Sequence, residues 1–189
     1  MIFTHIIKIS QSNHKVATPG DHILFFHNLS IDLHLEIAHP DARVFIYGLY
    51  TGSDKSTYTL TTHQHHTVPG GYSELLVKGI FDDQSALDYS GYIKIEKNCN
   101  GSHAYQKNQT LLLSSKARIS SEPNLEILSP DVFCTHGSTT GRINTEQLYY
   151  MQTKGLSAAA ARKLYVDGFI DDLVGKIKDK VPTFQFHHH

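Results

Sequence analysis

The chain has 189 residues, enough for one domain with a sizeable core and too few for a comfortable second one. Its 17 Lys plus Arg nearly balance 18 Asp plus Glu, which argues against a broad electrostatic grip on DNA, RNA or anionic lipid. No apolar run approaches the ~18 residues of a membrane span, the opening MIFTHIIKIS lacks the flanks of a signal peptide, and only Cys99 and Cys134 occur; a soluble, cytoplasmic protein with free thiols is expected.

The first clear element is IDLHLEI, with Ile31, Leu33, Leu35 and Ile37 on one face and Asp32, His34 and Glu36 on the other. That alternation predicts a half-buried strand. The same period recurs in TYTLT around Tyr58 and Leu60, in YIKIE with Ile93 and Ile95 inward, and in LEIL with Leu125 and Ile127 inward. Strands dominate to about Cys134, so the choices are a sandwich, a barrel or a solenoid. No repeat of fixed length appears, which by itself speaks against a solenoid.

After Gly141 the period becomes helical. Asn144 and Gln147 form a capping box ahead of Leu148 and Met151, and Gly155 closes that short helix. Ser157 caps a second helix from about Ala158, with Val166, Phe169, Ile170, Leu173, Val174 and Ile177 as one apolar stripe and Pro182 marking its stop. Such a stripe packs on the parent domain or offers itself to another protein. The final HHH after TFQF looks like an affinity-tag remnant, so His187, His188 and His189 carry no metal argument.

Several chemistries find no motif. The chain has no GxxxxGK[ST], GxGxxG or GxSxG, so no P-loop nucleotide site is expected, and Asp82 and Asp83 read as a turn after LLVKGIF. THQHHTV places His63, His65 and His66 close together; on a strand His63 and His65 share a face and make half a metal site, or are simply solvated histidines. In DVFCTHG, Cys134 and His136 would likewise project side by side. A thiolate and an imidazole suit zinc or iron, but two donors do not close a site, and a buried Cys beside a hydrogen-bonded His is the plainer alternative.

Taken together, LLVKGIF with Lys78 and Gly79, YSGYIKI with Gly91, the run from Leu111 to Ser114, PNLEI, DVFCTHG, LYY with Gly155, and the GF of Gly168 and Phe169 resemble the SufB/SufD family of iron-sulfur cluster assembly scaffolds. The resemblance covers about half the chain specifically. It implies a mainly β fold, a right-handed parallel β-helix over residues 1–141, followed by a C-terminal α-helical segment over 142–182 and a tail over 183–189. It also overrides the objection from missing repeats.

Family members are longer, so this chain reads as a short form. The resemblance implies a SufC-type ATPase docked on the helical end, for which Leu148, Tyr149, Tyr150, Leu164 and Phe169 are the candidate residues. It implies pairing with a SufB-like scaffold or a second copy, and a transient iron-sulfur cluster or iron at that interface. The SufB type supplies a Cys before the LLL strand and an acidic residue after the shared His; here those places hold Asn108 and Gly137. The C-x-H-G of Cys134 to Gly137 matches the SufD type instead, with His136 first and Cys134 second as cluster or metal contacts. No enzymatic activity and no ATP bound by this chain are expected, while a flavin is left open. The competing readings are a His-dependent metal protein or enzyme built on His63, His65 and His66, and an interaction module that has lost the cluster role.

Overall fold

The structure is a computed structural model that describes residues 6–186; residues 1–5 and the terminal His187, His188 and His189 lie outside it. Eleven strands precede two helices: β1 (Ile6–Lys8), β2 (Asn13–Val16), β3 (Gly20–His27), β4 (Ile31–Ile37), β5 (Ala42–Gly52), β6 (Thr57–His66), β7 (Tyr72–Phe81), β8 (Ala86–Ile95), β9 (Ser102–Leu112), β10 (Arg118–Ile127), β11 (Val132–Arg142), α1 (Thr145–Thr153) and α2 (Ala158–Lys178). Odd-numbered strands form one parallel sheet in the order β1-β3-β5-β7-β9-β11, and even-numbered strands form a second in the order β10-β8-β6-β4-β2. The chain therefore winds as a parallel β-solenoid of about four turns, as the family resemblance implies.

Parallel register stacks like positions into columns, and inward columns make the core. Leu24, Ile46 and Leu75 form one such column, and Leu35 stands beside Gln64 and then Ile93 in the facing sheet. The two inner faces meet in an apolar cluster that includes Phe26, Leu33, Ile37, Tyr50, Leu60, Val77 and Phe81. Strand β4 shows the predicted alternation, with Leu33, Leu35 and Ile37 buried and Asp32 and His34 exposed. Ile93 and Ile95 are buried as expected.

Leu125 and Ile127 correct the expectation: they stand 40% and 41% exposed. Their side chains occupy the column of Ile93 and Ile95, but β10 is the last strand of its sheet and no further turn covers it among the described residues. Strand β11 is the corresponding edge of the other sheet. The solenoid thus ends in an open mouth between β10 and β11.

Asn144 caps α1 by accepting from the backbone N–H groups of Glu146 and Gln147, and Gly155, with φ of +95°, takes the left-handed conformation just past its C-terminus. Ser157 caps α2 through the Ala160 N–H. The apolar stripe of α2 lies on the outer face of the odd-numbered sheet, burying Ile170, Leu173, Val174 and Ile177 against Phe45, Tyr47, Leu49, Leu76 and Ile80. Each such side chain is worth about 1.5–3 kcal/mol of transfer free energy. This covering explains β5, whose run Val44 to Tyr50 is buried on both faces and shows no alternation.

Beneath α2, the nearly buried Lys78 Nζ lies 2.6 Å from Asp172 Oδ2, donates to the Phe169 carbonyl at 2.8 Å and sits 4.3 Å from the Phe169 ring centre. At the other end of the helix, Arg162 reaches Asp82 in the β7–β8 turn at 2.8 Å. Beyond α2, Phe184 and Phe186 pack edge-on against Phe25, so the 183–186 stretch rests on the same outer face.

Candidate functional site

The pleat of β11 places Cys134 and His136 on one side of the strand. Their register partners are Ala104 and Gln106, both buried, so the pair faces inward at the mouth of the solenoid. Cys134 is half-buried and packs on the cluster of Ile93, Ile95, Cys99 and Ala104. That burial pushes its thiol pKa up, so the side chain by itself is a protonated thiol, and a metal would have to displace the proton. His136 is exposed at the mouth. Gly137, next in the chain, has open space where a Cβ would stand.

Behind the pair the interior becomes polar. The column Leu24, Ile46, Leu75 continues as Gln106 and ends at His136. Asn108 and Thr110 of β9, and Thr62, Gln64 and His66 of β6, are also buried. Asn108 donates to Ser121 Oγ at 3.2 Å, bridging the sheets, and Thr62 Oγ1 lies 3.2 Å from the Tyr89 hydroxyl. The Gln64 amide, Gln106 Oε1 and His66 Nδ1 have no hydrogen-bond partner among the described residues. Gly91 makes this arrangement possible: a Cβ there would collide with the Gln106 amide and lie 2.5 Å from the Tyr89 hydroxyl.

The His63 cluster is distributed differently from its spacing. His63 and His65 do share the outer face of β6, but His65 Nε2 lies 2.9 Å from Glu96 Oε1. His66 points inward, fully buried, with Nε2 2.8 Å from Ser73 Oγ. His63 instead stacks on His34, its register neighbour on β4, with ring centres 4.1 Å apart, and on Tyr92 of β8 at 4.8 Å. Asp32 Oδ1 lies 3.1 Å from His63 Nε2 and 3.2 Å from His34 Nε2. Sequence reasoning places Asp32 and His34 on a solvent face and misses this juxtaposition; it requires the register between β4 and β6.

On the helical segment, Tyr149, Tyr150 and Leu164 are exposed at 71%, 62% and 54%, Leu148 is half-buried, and Phe169 is half-buried over Lys78. Asp82 and Asp83 sit in a turn, as the sequence suggests, with Asp83 at φ 49°; Asp82 pairs with Arg162 and Asp83 accepts from the Asp54 backbone N–H.

The family model described as "SUF system FeS cluster assembly, SufBD core domain" matches residues 24–169. An iron-sulfur cluster assembly SufBD family protein of Synechocystis sp. is 31% identical over 158 residues, which cover 82% of this chain and 33% of that protein. The iron-sulfur cluster assembly protein SufD of Bacillus subtilis is 30% identical over 126 residues, 67% of this chain and 29% of that protein. SufD of Escherichia coli is 30% identical over 108 residues, 57% of this chain and 26% of that protein. The chain thus spans about a third or less of the length of these relatives.

Proposed function

Since this chain belongs to the SufBD family of SUF-system iron-sulfur cluster assembly proteins, we propose that it works as a SufD-like, non-catalytic scaffold on which iron or a nascent cluster is held transiently as cargo. One observation carries the reading: Cys134 and His136 face inward on the last strand, at a mouth that nothing covers among the described residues. A thiol and an imidazole supply two donors, and a second scaffold chain across the mouth would supply the rest. Asn108 is committed to Ser121, and Gly137 offers no side chain, so neither place provides the thiol or carboxylate expected of a SufB-type chain.

The strand edges of β10 and β11 favour a partner of the same architecture. Among the described residues, no strand pairs with the outer edge of either, and Leu125, Ile127 and Phe133 are exposed beside them. A SufB-like chain or a second copy would bury these groups and bring its own ligands to Cys134 and His136. A SufC-type ATPase would dock on the helical segment through Leu148, Tyr149, Tyr150 and Leu164, with Phe169 and Lys78 seating α2 so that movement of the ATPase reaches the solenoid. The ATPase brings the nucleotide site, so this chain need bind no ATP itself.

The test is anaerobic cluster reconstitution on the assembled complex. His136→Ala should leave the thermal midpoint unchanged, because the side chain is exposed, and should lower cluster yield by about tenfold or more, as loss of a metal contact does. An unchanged yield would remove His136 from the mechanism.

A further inference from the structure

The Asp32, His34 and His63 group has the composition and spacing of a metal site on the outer face of the even-numbered sheet. A zinc-type ion, with bonds of about 2.0–2.1 Å to nitrogen and oxygen, holds neighbouring donor atoms roughly 3.3 Å apart in a tetrahedron. Asp32 Oδ1 stands 3.1 and 3.2 Å from the two Nε2 atoms, and one ligand atom from each of the three residues lies within 4.8 Å of the others.

The fold brings these donors together. His34 and His63 are register partners on adjacent strands, stacked 4.1 Å apart with Tyr92 against the other face of His63, and the rings must turn out of this stack for both Nε2 lone pairs to meet one ion. His34 and His63 border a shallow pocket shared with His14, His65 and Lys94, and Asp32 is itself exposed, so an ion could arrive from solvent and keep water in its remaining position.

We propose that Asp32, His34 and His63 form a binding site for one divalent first-row transition-metal ion of the zinc or ferrous type. Two imidazoles and one carboxylate select against magnesium and calcium, which take oxygen donors. The site shares no residue with Cys134 and His136 and stands whether or not the scaffold reading does.

The same distances also arise when two neutral imidazoles donate Nε2–H to one carboxylate oxygen, and titration separates the two cases. The probe is Zn2+, followed by calorimetry, and Co2+, followed by its d–d absorption, in the full chain carrying His187→Ala, His188→Ala and His189→Ala. The expected result is one ion per chain with a Co2+ spectrum of low coordination number. His34→Asn, His63→Asn and Asp32→Asn should each weaken binding tenfold or more, while Cys134→Ser with His136→Asn leaves it unchanged. Circular dichroism of the ion-free variants checks that each is folded. No binding, or binding that the His34, His63 and Asp32 changes leave alone, would overturn the proposal.

Discussion

His66 stands between Ile37 and Ile95 in an inward column, fully buried, with one nitrogen 2.8 Å from Ser73 and the other without a hydrogen-bond partner among the described residues. Burial, helped by His65 and His103, lowers its pKa from 6.5 to about 4. Between those two values the unfolded chain binds a proton that the folded chain refuses, so stability falls as pH drops through that window, by up to about 3 kcal/mol. Denaturant unfolding at pH 7 and at about pH 4.5 should show this loss, and His66→Leu, which cannot titrate, should flatten it. An equal acid loss in the variant would place the sensitivity elsewhere. The Cys134–His136 pair was legible in the sequence because both residues lie on one strand two positions apart. Asp32, His34 and His63 were not, because nothing local in IDLHLEI or THQHHTV says that His34 will stack on His63.

Among the elements, α2 is the one whose attachment matters most if the proposed docking surface on the helical segment is to be coupled to the solenoid. Lys78 is 4% exposed and depends on Asp172, whose carboxyl pKa is held down by that lysine. Asp172→Ala leaves a buried ammonium unpaired; a fully buried pair broken this way costs about 3–5 kcal/mol. Asp172 is itself 48% exposed, so solvent screening reduces the expected loss to roughly 1–2 kcal/mol. The thermal midpoint should fall accordingly, and hydrogen exchange should quicken in α2 before β5 and β7; uniform quickening would contradict the anchoring role. Caps and stripe made both helices readable from the sequence. The strand LEIL misled because alternation marks a face and not its cover: Leu125 and Ile127 take inward positions on a strand with no turn beyond it.

At the scale of the molecule, the solenoid hides its repeat. Register carries Ile23 to Phe45, Phe45 to Glu74 and Tyr72 to His103, unequal steps with turns of different length between them. No fixed period could be found, and the family motifs supplied what periodicity could not. The architecture leaves two unfinished surfaces, the β10–β11 mouth and the exposed aromatic side of α1. The measurement that tests the central claim most directly is co-elution, with mass determination under anaerobic conditions, of the chain with a SufC-type ATPase. A stable complex that Tyr149→Ala with Tyr150→Ala weakens tenfold or more is predicted, since buried aromatics dominate such interfaces. A folded chain that forms no complex with the ATPase, or one indifferent to those substitutions, would contradict the proposed docking surface and the scaffold role built on it.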